Sequence, residues 1–370
     1  MRSNLEVMAA GTPILEPSVV KENSVMRRDM EVVVAETPLP EYDRFVREMK
    51  GARLCHLPAW TRMVERAFGH KGIYLVARAA GRVCGVLPLT QVRSRLFGNR
   101  LISQPFSDYG GPVAASAEAQ EALYQRALAV ARECGCESME LRNTVRLPYD
   151  LHVRTDKISM CLPLTRDPED VWKGLRHKTR NRVRKAQGAG LEVISGGLDL
   201  LDEFYRAWTV RMHELGTPCY PRKLFTCILE TFPDLARIFL ARLNGATTAG
   251  LFAYTFQGWV QSCWGAALRQ YDDIDPNYIL NWAAIEHYCR EGLKWFDFGR
   301  STVGSGPHIF KERWGSDPIK LYWQYWTPDG RQPAFTRPEE PKYRRKVRMW
   351  QRMPLWVSRV IGPVISPALP

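Results

Sequence analysis

The chain has 370 residues, of which 45% are apolar and 11% aromatic, and its 52 Lys and Arg outnumber its 39 Asp and Glu. This composition is sufficient for a sizeable buried core, and the length suggests two domains or three small ones. Most of the basic excess lies in two segments, Lys173–Lys185 and Arg331–Pro370, each with a net charge of +7. The basic character therefore belongs to two segments, not to the fold as a whole.

Cysteine spacing and hydropathy indicate the cellular compartment in which we expect the protein. The nine cysteines include one close pair, Cys134 and Cys136, whose single intervening residue fits neither a zinc knuckle nor a redox motif. Scattered thiols are typical of the reducing cytosol. The N-terminus has no apolar run as long as that of a signal peptide. No apolar run in the chain reaches the roughly 18 residues that a bilayer span needs. We therefore expect a cytoplasmic protein without a metal, whose residues 1–30 are disordered.

A strand–turn–strand pattern occurs twice. The first copy starts at Ile73 and turns at Ala80–Gly81, and the second starts at Ile238 and turns at Asn244–Gly245. Asn-Gly between β-branched and aromatic runs is a strong hairpin signal, because both residues tolerate positive φ. Each hairpin is followed by a predicted helix that stops at a glycine and by a short strand: Ala117–Cys134, Gly135 and Ser138–Leu141 in the first copy, and Pro276–Glu291, Gly292 and Trp295–Phe298 in the second.

This duplication predicts an α/β (α+β) fold made of two similar units with mixed sheets. We place the first unit at 31–165 and the second at 191–330, with a basic linker helix at 166–190 and a basic amphipathic tail at 331–370. In the second unit, Asp275 is predicted to cap the helix that begins at Pro276.

The linker is predicted to be one continuous helix that begins with Asp167 as N-cap and Pro168 at the first helical position. The seven cations of Lys173–Lys185 have no interleaved acid, so they lack the i,i+4 ion pairs of an ordinary solvated helix face. A ligand that neutralises them would relieve their repulsion. We therefore predict that Arg176, Lys178, Arg180 and Arg184 bind phosphates of a nucleotide-sugar, a lipid pyrophosphate or a tRNA.

Two stretches carry a family resemblance. The run WKGLRHKTRNRVRKAQGAG from Trp172 and the run FDFGRSTVGSGPHIFKERWGSDP from Phe296 resemble the FemAB family. The shorter runs HLPAW (His56–Trp60), SQPFSDYGGP (Ser103–Pro112) and LGTPCYP (Leu215–Pro221) are similar to FemAB-like proteins that accompany exosortase (PEP-CTERM) and exopolysaccharide systems. The resemblance spans about Leu54 to Tyr325.

The resemblance implies tandem acyltransferase domains of the GNAT (Gcn5-related acetyltransferase) type. FemAB members attach amino acids to peptidoglycan precursors, so it also implies transfer of an acyl or aminoacyl group to an amine of a cell-envelope or exopolysaccharide precursor. That partner would be phosphorylated or lipid-linked. The long helical arm associated with tRNA in larger members is missing here, and so is the glycine loop by which GNAT enzymes cradle coenzyme A. The co-substrate therefore stays open between acyl-CoA and aminoacyl-tRNA, with no bound cofactor.

Catalytic residues are predicted at the end of the last strand of the second unit. Lys311 matches the lysine of the family's F-K motif, and a cation after a glycine-rich loop can stabilise charge on a leaving group. Asp297 and Arg300, together with the predicted substrate contact Ser301, lie at the carboxyl end of the strand, where open α/β sheets place their sites. Arg300 either pairs with a phosphate or is a structural partner of Asp297.

Substrate contacts are predicted elsewhere as well. Asp108 and Tyr109 precede Gly110–Gly111 and either line an acceptor cleft or form a packed turn. Asn277, in the first turn of the second helix, is a further substrate contact. No motif places a Ser or Cys beside a His, so direct attack without a covalent intermediate is favoured. The histidines offered as general bases, none singled out by spacing, are His56, His177, His213 and His308.

The tail joins basic residues from Pro341 to an apolar stretch with Trp350 and Trp356. This pattern suits either a helix on an anionic inner-membrane surface or a terminal segment packed on the domain. A non-catalytic GNAT-like scaffold that binds RNA or membrane is the alternative to an enzyme.

Overall fold

A computed structural model describes residues 30–95, 97–333 and 341–369, with the backbone alone for 341–343. Apart from Met30, which begins the first strand, the predicted disordered segment 1–30 lies outside the described residues. The strands are β1 (Met30–Ala35), β2 (Lys71–Ala79), β3 (Arg82–Ser94), β4 (Gly98–Ile102), β5 (Val113–Ala114), β6 (Ser138–Asn143), β7 (His152–Arg154), β8 (Lys157–Pro163), β9 (Glu192–Gly196), β10 (Ala236–Leu243), β11 (Ala246–Phe256), β12 (Trp259–Ala267), β13 (Trp295–Thr302), β14 (Asp317–Lys320) and β15 (Tyr322–Trp326). The helices are α1 (Pro40–Glu48), α2 (Pro58–Phe68), α3 (Ala117–Glu133), α4 (Pro168–Gly174), α5 (His177–Gly188), α6 (Leu201–Leu215), α7 (Arg222–Thr231), α8 (Pro276–Arg290), α9 (Gly306–Glu312), α10 (Pro341–Arg352) and α11 (Leu355–Ile365).

These strands form two mixed sheets with the same plan. The order is β1-β2-β3-β4-β6-β15-β7 in the first sheet, with β5 on β3, and β9-β10-β11-β12-β13-β8-β14 in the second. Each sheet has one parallel pair, β4 with β6 and β12 with β13, and the crossover helix before the second strand of each pair is α3 or α8. The predicted α/β fold with two similar units is confirmed.

The two sheets exchange one strand each. β8 follows β7 after two residues but pairs with β13 of the second sheet, and β15 follows β14 after one residue but pairs with β6 of the first. The predicted span 31–165 therefore contains β8, which belongs to the second sheet, and the span 191–330 contains β15, which belongs to the first. The chain crosses at very short turns because the two sheets lie side by side, so neither sheet is complete without the other unit's sequence.

Local signals in the sequence set the turns. Ala80 and Gly81 have φ of 48° and 73°, and Asn244 and Gly245 have φ of 50° and 80°. Positive φ at both central residues is the turn type that matches the twist of a two-residue hairpin. Both predicted hairpins are therefore confirmed.

The basic linker is two helices, not one. Asp167 caps α4 as predicted, accepting from the Glu169 amide at 2.9 Å. Leu175 and Arg176 are extended, with ψ of 144° and 140°, and they separate α4 from α5. Gly174, a poor helix former, precedes the break. The break lets Trp172 pack on Trp282, at 4.7 Å between ring centroids, while α5 packs along α8.

A second correction concerns Asp275. It adopts a left-handed conformation at φ 57° and its side chain makes no cap hydrogen bond. The carboxylate instead pairs with Arg182 at 2.6 Å and with Lys185 at 3.4 Å on α5. Two cations on the neighbouring helix compete more strongly for this carboxylate than a backbone amide does.

The largest core cluster is shared by both units. Trp60 from α2 is fully buried, and its ring centroid lies 5.3 Å from that of Tyr254 in β11 and 6.3 Å from that of Phe232. Smaller clusters lie under α8 and under α3. Because the shared cluster includes side chains of both units, their relative position is fixed by packing, and so is any site between them.

Candidate active site

A cavity opens where the parallel strands of the second unit separate. β12 and β13 pair over only three residues, Trp259–Gln261 with Trp295–Asp297. Beyond this point β12 contains a bulge at Cys263, because Phe252 pairs with Trp264 and Ala253 with Ser262. Bulges bend a strand and end its regular pairing. The resulting gap contains a cavity of about 270 Å³.

Three parts of the chain line this cavity. The first unit contributes Phe106, Ser107, Asp108 and Arg142; the second contributes Trp208, Met212, Thr217, Pro218, Tyr220, Cys263, Trp264, Phe298, Arg300 and Lys311; and the C-terminal end contributes Ser366 and Leu369. The site is therefore built between the two units. Of the predicted site residues, it brings together Lys311, Arg300 and Asp108.

Lys311 presents a half-buried ammonium to the cavity. It follows the glycine-rich turn and lies near the end of α9, because β13 continues to Thr302 and only a short turn precedes the helix. Its Nζ donates to the carbonyl oxygens of Gly299 at 2.7 Å and Arg300 at 3.0 Å. Burial lowers the pKa of Lys311 to about 8, opposed by the nearby Asp108 carboxylate.

Asp108 and Arg300 form a pair across the units. The Arg300 amide donates to Asp108 Oδ2 at 2.9 Å, and the Arg300 guanidinium lies 3.3 Å from Asp108 Oδ1. Arg300 is thus a partner of Asp108, whereas the sequence had considered Asp297. The guanidinium also stacks over the Trp323 ring, 4.4 Å from the centroid. These contacts hold Arg300 at the wall of the cavity.

Arg142 is a cavity residue that sequence reasoning missed. It is 3% exposed, its Nε donates to Glu140 at 2.7 Å, and its guanidinium stacks on Trp323 at 4.2 Å. Its Nη2 has no partner among the described residues. The signal available was the repeat itself: the pairing register makes Arg142 in β6 equivalent to Gly299 in β13. A buried guanidinium nitrogen on the cavity wall is a donor that a bound group with an acceptor oxygen can use.

Asp297 is a buried structural carboxylate and does not line the cavity. It is 1% exposed and accepts from the Ser159 hydroxyl, from the Gly299 amide at 2.8 Å and from the Tyr109 hydroxyl at 2.5 Å. Burial raises the pKa of Asp297, and these three donors oppose that shift. Tyr109 is 3% exposed and is not among the residues that line the cavity, which agrees with a packed turn.

The remaining predicted contacts lie away from the cavity. Ser301 is buried in β13, and the Asn277 side chain accepts from Asn281 within α8. The four cations of the basic segment, Arg176, Lys178, Arg180 and Arg184, are not among the cavity's lining residues. Arg180 donates to the Lys173 carbonyl oxygen and Arg184 stacks on Trp172, while Arg176 and Lys178 are exposed. The phosphate site on this segment stays a prediction, separate from the cavity.

The candidate general bases also lie outside the cavity lining. His56 Nδ1 accepts from the Arg53 amide, and its Nε2 lies 3.0 Å from the Gly111 carbonyl oxygen. Burial lowers the pKa of His56 to about 4, so it is neutral and structural. His308 Nδ1 accepts from the Gly304 amide, whereas His177 is exposed at the start of α5 and His213 lies on α6.

The cavity thiol does not suit a nucleophile. Burial raises the pKa of Cys263 well above its ordinary value, so the reactive thiolate is scarce. A second, more open cavity of about 580 Å³ lies between α6 and the β10–β11 turn. Its Arg242 is already paired with Glu203 at 2.6 Å, and none of the predicted site residues lines it. Lys311, Arg300, Asp108 and Arg142 thus form the candidate active site.

No helix in the described parts of the chain combines the length and apolar character needed to cross a bilayer.

Solved structures of other proteins are similar to this fold. FemX is similar in structure at a TM-score of 0.62 and 14% identity, covering 79% of this chain and 96% of that one. A tandem GNAT protein from the clavulanic acid biosynthesis pathway is similar at 0.52 and 15%, covering 83% and 100%. The C-terminal domain of a putative lysylphosphatidylglycerol synthetase from Agrobacterium fabrum is similar at 0.51 and 11%, covering 72% and 88%. No curated protein matches the chain.

One family model matches part of the sequence. It is described as an acetyltransferase (GNAT) domain and it matches residues 173–312, which include β12, β13 and Lys311 but not Asp108 or Arg142. The chain therefore has a tandem GNAT-like fold, and its residues 173–312 are similar to the GNAT acetyltransferase domain.

Proposed function

We propose that this protein is an N-acyltransferase that moves an acyl or aminoacyl group to an amine of a cell-envelope or exopolysaccharide precursor. The observation that carries the proposal is the Lys311 ammonium in the gap between β12 and β13, inside the segment that matches a GNAT acetyltransferase domain. FemX and a putative lysylphosphatidylglycerol synthetase, the latter named for joining lysine to a lipid, share the fold and support the envelope assignment.

The reaction needs charge stabilisation at two oxygen or sulfur atoms. When the amine nitrogen attacks the donor carbonyl carbon, the π electron pair of the C=O bond moves to the oxygen and forms an oxyanion. When that electron pair re-forms the C=O bond, the bond to the thiolate sulfur or ribose oxygen of the donor breaks and this group leaves. Lys311 uses two N–H bonds on the carbonyl oxygens of Gly299 and Arg300, which leaves a third for the oxyanion or leaving group. One preorganised donor of this kind contributes about 10²- to 10³-fold in rate.

Asp108 is the group placed to handle the amine. Its carboxylate lines the cavity and pairs with Arg300, and it faces Lys311 closely enough to act on its pKa. We propose that it accepts a hydrogen bond from the acceptor amine and takes the proton released on attack. The guanidinium groups of Arg142 and Arg300, both stacked on Trp323, supply donors for a phosphate of the precursor. Asp297 acts as a positioning residue, because its three donors fix Tyr109 and the backbone at Gly299.

The donor has two candidates. The GNAT acetyltransferase match supports acyl-CoA, and the FemX-like fold supports aminoacyl-tRNA. A carboxylate at the start of α8 would repel a pyrophosphate there, but Asp275 is paired with Arg182 and Lys185, so its charge is compensated.

The test is a transfer assay with labelled acetyl-CoA and labelled aminoacyl-tRNA, using amine acceptors identified by mass spectrometry of molecules that copurify with the protein. We expect turnover with one donor class. The dependence of donor binding on salt separates the two, since a tRNA gives a slope of about 0.7 to 0.9 per phosphate engaged and a diphosphate gives a shallow one. Tight, salt-dependent RNA binding with no transfer from either donor would contradict the enzyme and favour the scaffold.

A further inference from the structure

The C-terminal helices carry large apolar side chains on the side that faces solvent. In α11, the inward positions hold the buried Ser358 and Gly362. The outward positions, spaced four residues apart, hold Trp356, Val360 and Val364, which are 69%, 63% and 74% exposed. A soluble helix packed on a domain normally has the opposite arrangement. Exposed apolar stripes of this kind mark an interaction surface.

This orientation is set by close packing on the protein. A Cβ on Gly362 would lie 3.0 Å from the amide nitrogen and Sγ of Cys219, and the Ser366 hydroxyl donates to the Cys219 carbonyl oxygen at 3.0 Å. In α10, Gln351 donates to the Glu214 carbonyl oxygen at 2.7 Å. Rotating α11 to bury its apolar stripe would drive a bulky side chain into this contact. The stripe is therefore held outward.

The same two helices also carry exposed cations. The described exposed cations of the two helices are Arg344, Arg345, Lys346, Arg348, Arg352 and Arg359. Residues 341–369 include no Asp or Glu, and among the described side chains none of these cations makes an ion pair. Met349, 62% exposed, lies among them on α10. The surface is therefore apolar and cationic at once.

A surface that is both apolar and cationic favours one kind of binding partner. A second copy would cover the stripe but would bring two sets of unpaired cations together, and RNA would engage the cations but leave Trp356, Val360 and Val364 in water. An anionic lipid surface accepts both, because the stripe enters the acyl boundary and the cations meet the headgroups. We propose that α10 and α11 dock the protein on an anionic bilayer. Helix α11 has 11 residues, which suits lying in the interface and not spanning it.

The docking surface continues to the cavity. Directly after α11, Ser366 and Leu369 line the cavity that holds Lys311, and the Pro367 carbonyl oxygen lies 3.0 Å from His70 Nε2 of the first unit. Docking would therefore place the cavity beside the headgroups, where a lipid-linked acceptor is found. This last step rests on the proposed function, whereas lipid binding itself does not.

The experiment is cosedimentation of the full chain with vesicles of phosphatidylcholine, alone or mixed with phosphatidylglycerol. We expect binding to the mixed vesicles only, released as salt rises. Trp356→Ser/Val360→Ser/Val364→Ser should reduce binding at least about tenfold, and Arg348→Gln alone about fivefold. The matched control is Val145→Ser/Leu198→Ser, two exposed apolar residues on other faces, which should bind as the wild type does.

Three results would overturn the proposal. The first is a wild-type protein that does not sediment with the mixed vesicles, or a control variant that loses as much binding as the triple variant. The second is a dimer in analytical ultracentrifugation that the triple variant abolishes, which would assign the surface to a second copy. The third is RNA binding that depends on Arg348 but not on Trp356, without vesicle binding. Acyl transfer measured with a water-soluble acceptor stays independent of all three, so a failure here is distinct from a failure of the proposed function.

Discussion

The two units share a topology but differ at the point where their parallel strands separate. In the first unit the gap is closed: the Arg142 amide donates to the Ser103 hydroxyl at 2.8 Å, and the Gly111 amide donates to the Arg142 carbonyl oxygen at 2.9 Å. In the second unit the gap stays open as the cavity with Lys311. The same loop that closes the first gap, residues 103–111, sends Asp108 into the second. The first unit thus closes its own gap and lines the cavity of the second, which contains Lys311.

Equivalent residues show the same division. Glu140 and Asp297 occupy matching positions at the end of the parallel pairing. Glu140 holds the cavity arginine Arg142, whereas Asp297 ties the two units together through Tyr109. Duplication thus supplies two carboxylates at one structural position, and each has been used to organise the same site from a different side.

The largest expected effect comes from breaking the link between the units. Asp297→Ala leaves the Tyr109 and Ser159 hydroxyls and the Gly299 amide without their buried acceptor, so we expect the free energy of unfolding to fall by about 3 kcal/mol. Tyr109→Phe removes one donor only and should cost about 1 kcal/mol. Urea unfolding measures both. Equal costs for the two variants would show that Asp297 is not the hub.

A smaller loss is expected from opening the closed gap of the first unit. A Cβ on Gly111 would lie 1.9 Å from Oδ1 of the buried Asn143, so Gly111→Ala must displace that side chain or the loop and should cost about 2 kcal/mol. Gly188→Ala is the matched control, since a Cβ there meets nothing within 4 Å. Thermal unfolding compares them. A Gly111→Ala protein as stable as the control would mean that the loop does not seal this gap.

The pH dependence of kcat/KM tests whether the Lys311 ammonium of the second unit takes part in the reaction. Because the pKa of Lys311 is lowered to about 8, its cation is present below that pH and lost above it. The contribution of Lys311 to kcat/KM should therefore fall about tenfold per pH unit as pH rises past 8. Lys311→Met should show a lower rate without this descending limb. An unchanged limb in the variant would assign the titration to another group.

Sequence reasoning succeeded where a signal is local. Asn244–Gly245, Gly135 and Gly292 fix turns and helix ends through φ alone, so the hairpins, the helices and the duplication followed from them. The Lys311 assignment rested on a family motif. Strand exchange by β8 and β15 left no local signal, because it depends on how two sheets lie in space.

The missed parts of the site are long-range contacts. Asp108 and Arg300 are 192 positions apart, so no spacing rule joins them, and Arg142 becomes visible only when β6 and β13 are placed in the same register. The basic segment is the opposite case, and its phosphate contacts stay a prediction. Its charge density is conspicuous in the sequence, yet α5 packs along α8 and its cations do not line the cavity.

The most direct test of the account is the rate of acyl transfer by Lys311→Ala, measured as kcat/KM with the productive donor. The account predicts a loss on the order of 10²-fold, about 3 kcal/mol of transition-state stabilisation, with unfolding unchanged. Lys320→Ala, an exposed lysine on β14, should retain the wild-type rate. A Lys311→Ala enzyme whose turnover stays within about threefold of wild type would contradict the claim that the open gap of the second unit is the catalytic site.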